Sequence, residues 1–348
     1  MRAHPPQTIG AAPVTTPARF DPSRLRLGRE LQGWSQAQLA QRCRLTPAAV
    51  SQFESGQTRP SPETEALLAN ALQVPTAFLA ETVVETHEGF FRSLRKSSVT
   101  QRRRARALAH IAHDVATAGH FPRASVPRHP VGLDADTAEA DRAAAAVRKD
   151  WGVPPGPVGN VVQLLEEHGV TVIRLPLDTA DVDAFSLPFE DHPVVVLGSD
   201  KNDRARSRFD AAHELGHLVM HGDQVWGLKE IEDQAHAFAA AFLLPEADVR
   251  HELPERADWP TLFRLKLKWQ VSLAALLYRA KTLGRMSPAN YLSAVKASSA
   301  RGWRRSEPVP LGAPEAPTKL AGFLRHPSAD EATKHLPKEI LCDLVASS

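Results

Sequence analysis

One short run constrains this chain more than any other: His213-Glu214-Leu215-Gly216-His217. Residues four apart on an α-helix lie one above the other on the same face. On a helix, His213 and His217 can therefore share one metal ion. Neutral imidazole suits Zn²⁺, and a catalytic zinc takes three protein ligands with one position left for water. Glu214 lies beside them, where it can reach that water and accept its proton. The spacing is useful only if a second element brings a third ligand to the same point, so the fold must pack another segment against this helix. Glu232, Asp233 and His236, on the next predicted helix, are the candidates. His221 follows one turn after His217. It can orient substrate or stabilise an oxyanion, or simply meet a helix C-terminus. Asp210 can hold a ligand imidazole in one tautomer or stand at the surface.

A second pattern lies near the N-terminus. Ser35-Gln36-Ala37-Gln38-Leu39-Ala40 is followed by Leu45-Thr46-Pro47-Ala48-Ala49-Val50-Ser51-Gln52-Phe53-Glu54-Ser55-Gly56. Ser35 and Thr46 are placed to cap two helices, and Pro47 stands where a missing N–H costs nothing. Gly56 ends the second helix. Leu39, Ala40, Leu45, Val50 and Phe53 have the spacing to pack the two helices around a tight turn. This is a helix-turn-helix, whose second helix enters the major groove of duplex DNA.

The rest of the chain divides by composition. Residues 1–20, rich in Pro, Ala and Thr, read as a disordered arm. The reading head is expected over 21–82, a connecting helix and linker over 83–135, and the metal domain over 136–300. A Pro-rich tail with a terminal helix is expected over 301–348. Seven Arg or Lys lie between Arg92 and Arg106. They either track phosphate or form a solvated helix face. Strands are expected at Val170–Leu175 and Val194–Leu197, and long helices at Asn202–His221, Glu230–Leu244 and Leu262–Leu283. The fold class is α+β, mainly α: a five-helix reading head, then a metal domain with a small sheet and C-terminal helices. A net charge of +2 confines any nucleic-acid surface to a local patch. Two distant cysteines, Cys43 and Cys342, make neither a disulfide framework nor a thiolate zinc site. No apolar run approaches a membrane span and no signal core opens the chain, so a cytoplasmic location is expected.

Residues Arg24–Leu79 resemble the Xre (Cro/CI-type) repressor family. The resemblance implies a recognition helix over Thr46–Ser55, with Thr46, Pro47, Ala48, Ala49, Ser51 and Gln52 at the DNA. It implies that Gln36 braces a phosphate and that Gln52 faces base edges, where a Gln pairs with adenine. A homodimer on duplex DNA is expected. Asn160–Leu244 resembles the ImmA/IrrE metallopeptidase family. The matching stretches are Asp183–Ser186, Pro193–Gly198, Arg208–His217, and Glu232 through Pro245. That resemblance implies Glu232, thirteen residues before Pro245, as the carboxylate ligand. Phe90–Arg95, Lys266–Ala280 and Arg301–Pro308 resemble segments of Xre proteins that carry such a domain. Together these imply a DNA-binding regulator with one zinc-dependent peptidase site acting on a specific protein, such as an Xre-type repressor. The alternatives are a non-cutting sensor of a ligand or partner, and an antitoxin that binds a toxin.

Overall fold

A computed structural model describes residues 20–86, 98–177, 184–200, 202–222 and 228–346. The expected N-terminal arm and the Phe90–Arg95 segment lie outside the described residues, except for Phe20. The reading head comprises α1 (Pro22–Leu31), α2 (Gln36–Cys43), α3 (Pro47–Glu54) and α4 (Pro62–Leu72). Its fifth helical element is a short 3₁₀ turn, Thr76–Ala80. The caps fall where the spacing predicts. Ser35 and Gln38 form a reciprocal capping box at α2, and Thr46 accepts from the Ala49 N–H at 3.1 Å to start α3. Gly56 follows α3 with φ 71°, a conformation that costs a side-chain-bearing residue strain.

After the reading head come α5 (Val99–Ala118), α6 (Thr137–Asp150) and α7 (Val161–Glu167). Three strands follow: β1 (Thr171–Leu175), β2 (Ala184–Leu187) and β3 (Val194–Gly198). They form one sheet in the order β1-β3-β2, parallel between β1 and β3 and antiparallel between β2 and β3. β2 is an addition to the sequence reading: four residues with an embedded serine carry little strand signal. Next come α8 (Arg204–Met220), α9 (Lys229–Leu243), α10 (Glu246–Val249), α11 (Trp259–Trp269), α12 (Leu273–Thr282) and α13 (Pro288–Ala300). The helix expected over Leu262–Leu283 is two helices. α11 ends at Gln270 with φ 55°, and Ser272 caps α12 by accepting from the Ala275 N–H. The tail adds α14 (Lys319–Leu324), α15 (Ala329–Ala332) and α16 (Lys338–Ala346).

Side chains alternate across the sheet, and both faces are buried. Val172, Ala184, Val195 and Leu197 join α6, α7, α8 and α9 in one core. Ile173, Leu175, Phe185, Leu187, Val194 and Val196 join a second core that contains α5, the whole reading head and the C-terminal helices. The reading head and the back of the sheet are thus parts of one hydrophobic unit, with α5 between them. Polar links cross the same boundary. Arg24 of α1 donates to Asp114 of α5 at 2.5 Å, and His113 of α5 bonds Asp191 of the β2–β3 turn at 2.8 Å.

The arginines at the start of α5 serve this docking. Arg104 donates to the Leu31 carbonyl at 3.0 Å, Arg103 lies 3.9 Å from Glu30, and Arg106 donates to the Thr86 carbonyl. The Pro-rich tail is equally integrated. Glu315 accepts from the N–H groups of Val161 and Val162 at the start of α7, and it pairs with the buried Arg208 of α8. Glu307 accepts from the Leu273 N–H at the start of α12 and from Lys266. These carboxylates occupy helix N-termini, where exposed N–H groups favour negative charge. Among the described residues no helix is long and apolar enough to cross a membrane.

Candidate metal centre and reading surface

α8 carries the His-Glu-His run in its second half. The helix starts at Asp203, whose carboxylate accepts from the Arg206 N–H at 2.9 Å. α9 packs directly on it, and the close approach depends on Gly216. A Cβ built there would stand 2.9 Å from Phe238 Cδ1. With the two helices so close, the first turn of α9 brings Glu232 beside His213.

His213 Nε2 and His217 Nε2 face each other at 3.0 Å, and Glu232 Oε2 is 3.4 Å from His213 Nε2. Ligand atoms of His213, Glu214 and His217 all lie within 4.8 Å of one another. Two imidazole nitrogens at that separation need a hydrogen or a cation between them. Burial, reinforced by the charge of neighbouring histidines, holds His217 well below its ordinary pKa and therefore neutral. For His213 burial acts in the same direction. It is outweighed by the hydrogen bond to Glu232 and by the charges of Glu214, Glu232 and Asp210, so the net shift is upward. Nitrogen donors and a carboxylate converging at one point match the donor chemistry of a divalent transition metal such as zinc.

Glu214 is only 3% exposed. Burial pushes its carboxyl up to about 7, against the lowering pull of His213 and of the hydrogen bond from Ser186. Ser186 Oγ donates to Glu214 Oε2 at 2.7 Å. Ser186 lies in a stretch that resembles the metallopeptidase family, and the sequence assigns it no role. A hydroxyl inside the apolar run Ala184–Leu187 is a signal that could have found it, because a buried hydroxyl needs a partner.

His221 lies behind His217. Its Nδ1 is 3.0 Å from His217 Nδ1, on the side of the ring opposite Nε2, and its Nε2 is 3.0 Å from Gln234 Oε1. Burial pushes His221 down to about 4. It therefore faces the Nδ1 side of His217, a candidate ligand. Asp210 acts on His213 through its charge. Asp233 points to solvent and pairs with Lys229 at 3.4 Å. His236 packs between Phe209 and Tyr278, with its ring centroid 6.3 Å from that of His213.

On the reading head, Thr46, Pro47, Ala48, Ser51 and Gln52 are exposed along α3, and Ala49 is half-buried. They form one outward face. Gln36, expected at a phosphate, has an inward partner: its Nε2 donates to Glu54 Oε2 at 2.8 Å. Glu54 also receives two hydrogen bonds from the buried Arg29, at 2.6 and 2.9 Å.

Comparison with known families agrees with both halves. Residues 25–79 match the family model of a helix-turn-helix, and residues 165–281 match that of a peptidase family described as the IrrE N-terminal-like domain. No curated protein matches the chain. The chain is an Xre-like helix-turn-helix, a DNA-binding type of domain, fused to a peptidase-family domain of the IrrE/ImmA kind.

Proposed function

We propose that the protein is a cytoplasmic transcription regulator that binds duplex DNA as a homodimer and carries a zinc-dependent peptidase site for a specific protein substrate. The observation that carries the catalytic half is the convergence of His213, His217 and Glu232 beside a buried Glu214. His213 Nε2, His217 Nε2 and a Glu232 carboxylate oxygen would hold one divalent metal such as Zn²⁺. When bound, that metal supplies a Lewis acid that acidifies water and polarises a scissile carbonyl. Glu214 accepts the proton from the attacking water and passes it to the leaving amine. Ser186 fixes the carboxylate for that task. A closed structural zinc site would need four protein ligands and would have no use for Glu214.

The regulatory half is supported by the exposed face of α3 and by the core shared between reading head and sheet. That shared core also favours a second reading, in which occupancy of the cleft alters DNA affinity without cleavage. Glu214→Gln separates the two, since the amide keeps size but cannot accept the proton. A peptidase should lose cleavage by about 10²–10⁴, retain its metal and still bind DNA. Its regulatory output should match that of a metal-ligand variant such as His213→Ala. A Glu214→Gln strain with wild-type regulation and an unchanged blot of substrate candidates would favour the sensor.

A further inference from the structure

Four hydrogen bonds behind the candidate metal site determine where the protons lie, and with His217 and His221 neutral the bookkeeping has one solution. Gln234 Nε2 lies 2.8 Å from the Gly132 carbonyl and 3.4 Å from that of Ala135. Both are acceptors only, so the amide nitrogen must face them and Oε1 must face His221. An amide oxygen cannot donate. His221 Nε2, 3.0 Å away, must therefore carry a hydrogen. A neutral imidazole has one N–H, so His221 Nδ1 is an acceptor. His217 Nδ1, 3.0 Å from it, must supply the hydrogen. His217 Nε2 is left with its lone pair, aimed at His213 Nε2 and the Glu214 side of the cleft.

We propose that His221 and Gln234 are positioning residues that lock His217 in its Nδ1–H tautomer and so keep Nε2 ready as a metal donor. The lock is anchored in the segment between α5 and α6. That stretch reads as a linker in the sequence. In the fold it runs along the end of α8, with the His129 N–H on the Val219 carbonyl at 3.0 Å and the Val131 N–H on the Met220 carbonyl at 3.3 Å. Gly132 follows directly, so its carbonyl is held relative to α8 itself. The arrangement does for His217 what a carboxylate or backbone carbonyl does for other metal-bound histidines: it fixes tautomer and ring orientation. Gln234 accepts without carrying charge, so it places the hydrogen on His221 Nε2 without favouring the doubly protonated ring as a carboxylate would.

The inference rests on the metal-site reading above, and the test separates them. Long-range proton–nitrogen NMR of the imidazoles in the metal-free full-length protein reports the His217 tautomer directly. The expected result is Nδ1–H for His217 and Nε2–H for His221. Zn²⁺ affinity is then measured by chelator competition. Gln234→Ala should leave His217 in a mixture of tautomers and weaken Zn²⁺ binding by roughly 10–100-fold, the usual cost of losing such a partner. His221→Gln, which can still accept from His217 Nδ1–H, should recover part of that loss relative to His221→Leu. An Nε2–H tautomer for His217 in the wild-type protein overturns the lock, as does a Gln234→Ala variant with unchanged tautomer and affinity. If the wild type shows the expected tautomers but does not bind Zn²⁺, the lock stands and the metal reading fails. The wild-type tautomer measurement needs no variant, so misfolding of Gln234→Ala leaves the outcome decidable.

Discussion

Ser186 Oγ donates a 2.7 Å hydrogen bond to Glu214 Oε2 between two side chains that are both buried. The bond joins the edge strand β2 to α8, which carries the candidate metal ligands His213 and His217. It lowers the cost of a charged carboxylate in a site where burial pushes Glu214 up to about 7. A base with a raised pKa acts in its deprotonated form, so activity should be lost as pH falls through that value. Ser186→Ala removes the stabilising donor and should move the acid limb of the kcat/KM profile to higher pH. At pH 7 hydrolysis should fall by up to about tenfold, with metal content unchanged. A profile that superimposes on the wild type would show that Ser186 merely packs.

On the reading head, Gln52 is exposed on α3, and under the proposed function it faces base edges. Gln52→Ala should weaken operator binding by about 1–3 kcal/mol at fixed salt while leaving non-specific binding alone. Arg104 behaves differently, because its guanidinium is bonded to the Leu31 carbonyl. Arg104→Met should lower thermal stability and leave the salt slope of DNA binding nearly unchanged. A slope reduced by about one would instead place Arg104 on phosphate.

Glu54 receives Arg29 twice and Gln36 once, all inside the reading head. Removing one partner of a buried pair leaves the other charge unpaired, which costs about 3–5 kcal/mol. Glu54→Ala should therefore unfold the reading head at a lower denaturant concentration. Arg29→Met with Glu54→Leu together should recover much of the loss, since neither charge is then stranded. Equal destabilisation by the single and double variants would contradict the pairing argument.

The parts that were legible in the sequence are those with local causes. Ser35, Thr46, Pro47 and Gly56 act within a few residues, and the reading head follows from them. His213 and His217 share a face because a helix has its fixed pitch. Glu232 came from family likeness, since Asp233 and His236 were equally available by spacing. Ser186 and Gln234 act across the fold, and nothing within their own segments announces the partner. The same holds for Glu315 and Glu307. Their work as helix caps depends on where a Pro-rich tail returns, more than thirty residues from the N–H groups they meet.

Stability should decline in acid for a reason outside the metal site. His110 on α5 is 4% exposed, and burial with the nearby Arg106 charge pushes it down to about 3. Its folded pKa lies below its unfolded value, so the folded state loses ground as pH falls from the ordinary histidine range toward that value. At pH 5 the loss is about 2 kcal/mol. His113 has the opposite sign. Burial depresses it, but Asp114 and Asp191 outweigh burial and raise it, so its contribution is present at low pH and fades as pH rises through the folded value. His110→Gln should flatten the acid limb of stability by about one proton, whereas His113→Gln should lose more stability at pH 5 than at pH 8. Denaturant titrations across pH at constant metal content test both. Identical pH slopes for wild type and His110→Gln would refute the assignment.

Gly216 sits inside the His-Glu-His run, where helix propensity alone favours alanine by about 1 kcal/mol. Packing decides the other way. An added Cβ would meet Phe238 Cδ1 at 2.9 Å, with Phe238 Cβ and Cγ at 3.1 Å. Phe238 is wholly buried and stacks on Phe242 with ring centroids 5.9 Å apart, so it has little room to retreat. Overpacking of this kind costs about 1–3 kcal/mol. The cheaper relief is a small outward shift of α9, which carries both Glu232 and Gln234. Gly216→Ala should therefore lower the melting temperature and weaken Zn²⁺ binding together, although residue 216 contributes no ligand. Phe238→Leu in the same chain should restore part of the metal affinity by vacating the contact, while adding its own cavity cost to stability. The two readouts then diverge: affinity recovers and melting temperature does not. If Gly216→Ala proved more stable and bound Zn²⁺ as the wild type does, the spacing between α8 and α9 would not depend on this glycine.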